Sequence, residues 1–95
     1  MPPKNAFPAA LQALRKSRGL SQEDFSDVSS RTYLSSLERG LKSPTLSKIV
    51  ELCEVMEVHP LTLLSLAYGR DSKGVQEVLA RVQRELASLP HMNDR

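Results

Sequence analysis

Apolar residues recur along this chain at the three- and four-residue spacing of an α-helix, and no segment shows the strict alternation of a half-buried strand. The spacing predicts five short helices and one longer one. The first runs from about Phe7 to Gly19, with Pro8 in its opening turn and Phe7, Ala10, Leu11 and Leu14 on one face. A second, short helix is predicted from a Ser21 cap to about Asp27, with Glu23 and Asp24 in its first turn and Phe25 pointing inward. A third spans Arg31 to Arg39, between a Ser30 cap and Gly40. Leu41 to Pro44 is a connector, because the residue before a proline is pushed out of helical geometry.

Thr45 then caps a fourth helix whose inward stripe is Leu46, Ile49, Val50, Cys53 and Met56. His59 and Pro60 open a fifth, rich in leucine and closed by Gly69. The last helix follows Asp71 and Ser72 and reaches about Leu89, with Val75, Val78, Leu79, Val82, Leu86 and Leu89 along one face. Segments 1–5 and 90–95 carry no such pattern and are expected to be flexible tails. The pattern as a whole predicts an all-α fold.

Composition narrows this picture. The 95 residues, 40% hydrophobic and 25% charged, fit one globular domain. A net charge of +2 does not by itself argue for nucleic acid, but its distribution is uneven. Residues 1–45 hold seven basic side chains against four acidic, and residues 46–95 hold six against seven. The single cysteine, Cys53, excludes an intramolecular disulfide and any Cys-rich zinc site, and fits a reducing, cytoplasmic setting. Its place on the fourth helix's stripe marks it as a small core hydrophobe rather than a redox switch. No signal-like apolar run follows Met1, and no stretch approaches the ~18 apolar residues of a membrane span, so no membrane association is expected. His59 and His91 belong to no set with metal-ligand spacing, and no phosphate loop, nucleophile elbow or triad is present. Neither catalysis, nor a metal, nor a cofactor is expected.

The second and third helices carry the functional signal. Two short helices joined by a tight turn form a unit that can place the second in the major groove of DNA. With Leu34 and Leu37 inward, 100° per residue puts Thr32, Ser36 and Arg39 on the opposite face, with Ser35 beside them. Arg31, first in the helix, projects from its end, where it can offer a bidentate pair to guanine. Tyr33 stands between the inner and outer faces, fit either for packing or for a phosphate contact.

The strings LRKSRGLSQEDF from Leu14 and SRTYLSSLERGLKSPTL from Ser30 resemble the Cro/CI-type (XRE-family) helix-turn-helix regulators, over about Phe7 to Tyr68. The resemblance implies a five-helix, lambda-repressor-like DNA-binding domain over residues 7–68. In it Gln22 contacts a phosphate, Arg31, Thr32 and Ser36 face bases, and Arg39 and Lys42 hold the DNA backbone. Ser35, by its place on the wheel, and Tyr33, where it does not pack, are counted with those backbone contacts, and the resemblance makes Arg15 and Glu38 a structural salt bridge away from DNA. Two departures stand out. Between Phe25 and Ser30 the chain has four residues where the family usually has six including a turn glycine, so the turn must be shortened. Glu57 stands where a helix-ending glycine is frequent.

Residues 70–89 lie beyond the family unit, and Val75, Val78, Leu79, Val82 and Leu86 are candidates for a dimer contact or for packing back on the domain. One recognition helix reads only a few base pairs, so a homodimer on an inverted-repeat, pseudo-palindromic site in double-stranded DNA is expected. The function read from the sequence is a transcription regulator, with repression the favoured sign. The competing reading is an adaptor, antitoxin-like or coactivator-like, that binds a protein partner through the last helix.

Overall fold

The computed structural model describes residues 6–90. Its elements are α1 (Phe7–Ser17), a 3-10 turn (Gln22–Phe25), α2 (Arg31–Glu38), α3 (Leu46–Met56), α4 (Pro60–Gly69) and α5 (Ser72–Ala87). No strand occurs among the described residues. The expected tails at 1–5 and 91–95 lie outside the described residues, and residue 90 follows the end of α5.

The core gathers Leu11 of α1, Phe25 of the 3-10 turn, Leu34 and Leu37 of α2, Leu52 and Cys53 of α3, and Leu63 of α4, all fully buried. Helix α4 lies against α1, α3 and α5, and the Ala6 N–H donates to the Ala67 carbonyl at 2.7 Å, fastening the start of α1 to α4. The stripe expected on α3 needs correction. Leu46 and Val50 are 69% and 39% exposed, and Leu52, outside that stripe, is fully buried. Helix α3 carries apolar residues on two adjoining faces, and packing against the 3-10 turn and α4 selects the one containing Leu52.

The predicted second helix is also shorter than expected, a four-residue 3-10 turn rather than an α-helix to Asp27. One isolated turn has no stability of its own. It is held by Phe25, whose full burial contributes about 2–3 kcal/mol. The Asp24 carboxylate accepts from the Ser21 N–H at 2.7 Å and fixes the other end.

Three helices end alike. At Gly19, Gly40 and Glu57 the backbone turns left-handed (φ 70°, 76° and 58°). The next N–H reaches back five residues, from Leu20 to Arg15, Leu41 to Ser36 and Val58 to Cys53. Glu57 takes this conformation with a Cβ, which costs about 1–2 kcal/mol that the glycines avoid.

The α4–α5 elbow depends on a close backbone approach. A Cβ on Gly74 would stand 1.8 Å from the Gly69 carbonyl oxygen, so only glycine fits. Asp71 caps α5 by accepting from the Gly74 N–H at 2.7 Å. Helix α5 packs on α4 yet buries none of its residues completely. The radius of gyration is 14.9 Å, against about 12 Å for a compact chain of this length.

Candidate nucleic-acid interface

The 3-10 turn and α2 are joined by Ser26 to Ser29. The Val28 and Ser29 N–H groups both donate to the Phe25 carbonyl, at 3.0 and 2.9 Å, which closes the short connection without a glycine. The Lys48 ammonium donates to the Val28 carbonyl and pairs with Glu51 at 2.9 Å, tying the turn to α3. Ser30 caps α2 by accepting from the Tyr33 N–H at 3.0 Å. Arg31 is thereby the first helical residue, beside the free N–H groups that make a helix start attractive to anions.

The tilt of α2 is set from behind. Arg15 of α1 grips Glu38 with two parallel bonds, Nε to Oε2 at 2.7 Å and Nη2 to Oε1 at 2.9 Å, and Nη1 donates to the Leu20 carbonyl at 2.9 Å. Arg15 is 8% exposed, and its hydrogen bond to Glu38 raises the guanidinium above its ordinary range, outweighing the opposing effect of burial. The Gln22 amide donates to Glu38 Oε1 at 3.2 Å. Gln22 is thus tethered to this buried pair while still lining the outer surface.

That outer surface is polar. Gln22, Arg31, Thr32, Ser35 and Arg39 line a shallow concavity of about 320 Å³. A second of about 430 Å³ adjoins it, between Arg15, Ser21, Gln22, Glu23 and Arg31. Arg31, Thr32, Arg39 and Lys42 are exposed, Ser35 and Tyr33 half-buried. Cations therefore stand at both ends of α2. Ser36, expected at the bases, is a correction: it is 8% exposed, on the flank where the chain returns through Gly40 and the Leu41 N–H donates to the Ser36 carbonyl. The hydroxyls left on the open face are those of Thr32 and Ser35.

Two ammonium groups lie near the Tyr33 ring, Lys42 Nζ at 5.8 Å and Lys48 Nζ at 5.9 Å from its centroid. Two participants carried no signal in the sequence. Glu23, which meets Arg31 at 3.3 Å, lies eight residues before it across a turn. Lys48 reaches the turn from twenty residues away, beyond any local periodicity.

A larger groove, about 580 Å³, lies elsewhere, between α4 and α5, and its walls include Leu61, Leu66, Val75 and Leu79. Among the described residues no helix is long and apolar enough to cross a membrane, and no three His, Cys, Asp or Glu side chains gather as for a metal.

A short polar-faced helix, clamped to its scaffold by buried contacts and preceded by a tight turn, is the layout of a helix-turn-helix DNA-binding module. The family model described as helix-turn-helix matches residues 11–63, more than half of the chain. An uncharacterized HTH-type transcriptional regulator, y4dJ, of Sinorhizobium fredii is 41% identical over 54 residues, which make up 55% of this chain and 70% of that relative. No solved structure matches the chain significantly. The chain belongs to the XRE-type helix-turn-helix family of DNA-binding transcription regulators.

Proposed function

We propose that this chain is a cytoplasmic repressor that binds an inverted-repeat operator as a homodimer. The observation that carries the reading is the sorting of α2: Leu34 and Leu37 fully buried, Arg31, Thr32 and Arg39 exposed, and Gln22 and Lys42 flanking them. Arg31 reads a base by a bidentate pair to guanine, with Thr32 beside it. Ser35, Arg39, Lys42, Tyr33 and Gln22 set the register on phosphates. Repression follows from occupancy, since a bound dimer occludes polymerase.

A second copy is the partner proposed for α5. Val75, Leu79, Val82 and Leu86 are spaced four, three and four residues apart, the seam of a coiled coil, and Leu89 follows three residues on, just past the end of α5. Leu79, Val82, Leu86 and Leu89 are 38–46% exposed, and the seam continues into the apolar groove at Val75 and Leu79. Pairing two such helices joins two recognition helices for half-sites about one turn of DNA apart, roughly 34 Å.

Selection of duplexes from random sequence, followed by titration with the wild type and Arg31→Ala across salt, tests the reading. An enriched inverted repeat, a steep salt slope, and a loss of discrimination worth about 1–3 kcal/mol in Arg31→Ala are expected. No enrichment, with the exposed seam instead retaining a different protein, would favour the adaptor reading.

A further inference from the structure

Glu23 is an anomaly on this face. It is a carboxylate beside a surface that must approach phosphates, where a negative charge weakens association. Two of the neighbouring carboxylates have internal work: Glu38 holds Arg15 and Gln22, and Asp24 fixes the Ser21 N–H. Glu23 Oε1 instead meets Arg31 Nη1 at 3.3 Å, in the concavity that Glu23 lines with Arg31, which also borders the second. The two side chains are 74% and 71% exposed, so packing does not explain the pairing.

We propose that Glu23 is a positioning residue for DNA recognition: it holds the Arg31 guanidinium at the start of α2 and keeps it from settling on the DNA backbone. This rests on the reading of Arg31 as the base contact. A guanidinium has five N–H donors in a fixed fork, and a contact through Nη1 leaves the Nε and Nη2 edge for a bidentate pair with guanine. Without an acidic neighbour, an exposed arginine at a helix start samples many rotamers, several of which reach flanking phosphates. The carboxylate therefore lowers affinity for arbitrary DNA while narrowing Arg31 to the base edge. Exposed ion pairs are worth little in water, and displacement of solvent by the duplex strengthens this one.

The test uses the full chain, the duplex enriched from the random library, and a scrambled duplex of equal length. Glu23→Gln is nearly isosteric and exposed, and an unchanged thermal midpoint verifies folding. Glu23→Gln is expected to bind the scrambled duplex more tightly. Its ratio of selected to scrambled affinity should fall about three- to fivefold, the upper range for an exposed pair. In an Arg31→Ala background Glu23→Gln should strengthen both duplexes equally and leave the ratio unmoved. If Glu23→Gln alone strengthens both equally, Glu23 is merely a repelling charge and the proposal fails. Should Arg31→Ala itself leave the preference for the selected duplex unaltered, the reading of Arg31 fails and this one with it. Loss of preference in Arg31→Ala together with an unmoved ratio in Glu23→Gln overturns only the role of Glu23.

Discussion

Arg15 and Glu38 are the residues on which the recognition helix leans. Their bidentate bond is buried on both sides, with side-chain exposures of 9% and 3%, and Gln22 shares one of its oxygens. Removing one partner from such a pair leaves an uncompensated buried charge, worth about 3–5 kcal/mol. Glu38→Ala is therefore expected to lower stability by about 3 kcal/mol or more in denaturant titration. A double replacement by apolar residues of similar size should recover much of that loss. Cys53 is fully buried in the core, and burial pushes its thiol above the ordinary range. A thiol reagent at about pH 8, where an ordinary thiol begins to ionise, should leave native Cys53 unmodified and label it fully after unfolding. The sign of the linkage follows. The unfolded chain loses this proton first, so Cys53 contributes stability below the ordinary thiol range that declines as the pH rises through the elevated one. The resemblance pairs Arg15 with Glu38, and periodicity places Cys53 on the inner stripe of α3. By contrast, Ser36 lies outward on an ideal wheel and is buried in the structure.

Helix ends and elbows divide along the same line. Ser30, Thr45 and Asp71 each cap their helix through a side-chain oxygen that accepts a backbone N–H, and short polar side chains before an apolar run announce this locally. The fit of Gly74 against the Gly69 carbonyl is a contact between two elements and leaves no local mark. Gly74→Ala should open the elbow and detach α5 while sparing the rest of the domain. Circular dichroism with limited proteolysis would register this as cleavage confined to the last helix and little loss of total helicity. Generalised destabilisation with α5 still protected would contradict the account. The 3-10 turn eluded the pattern for a related reason. Phe25 and the acids around it fit the first turn of either helix type, and the four-residue connection to Ser30 forbids the longer one.

For the whole molecule, the exposed seam of α5 is the surface on which the proposed second copy would pair. In the Val75 to Leu89 stripe, Leu86 is 46% exposed and belongs neither to the core cluster nor to the side chains packed against it. Leu86→Lys sits at an exposed position of the single chain and should leave its helicity by circular dichroism close to that of the wild type. Under the dimer reading, sedimentation should show the wild type as a dimer and the variant as a monomer, with operator affinity reduced through loss of the second half-site. An unchanged dimer in Leu86→Lys would move the interface elsewhere, and the exposed Leu46 and Val50 of α3 are the next surface to vary.

The sequence by itself determined the all-α class, the number of helical segments, most of their caps, and the family motif from Leu14 to Leu46. These are local quantities: hydrophobic period, capping chemistry and glycine at left-handed turns act within a few residues and can be read there. Tertiary structure decided which of two apolar faces α3 buries, how the shortened turn closes through Phe25 and Lys48, and which serine of α2 stays open. It also decided that Glu23 meets Arg31. Each of those outcomes depends on which distant surface arrives alongside, and a one-dimensional pattern carries no term for that.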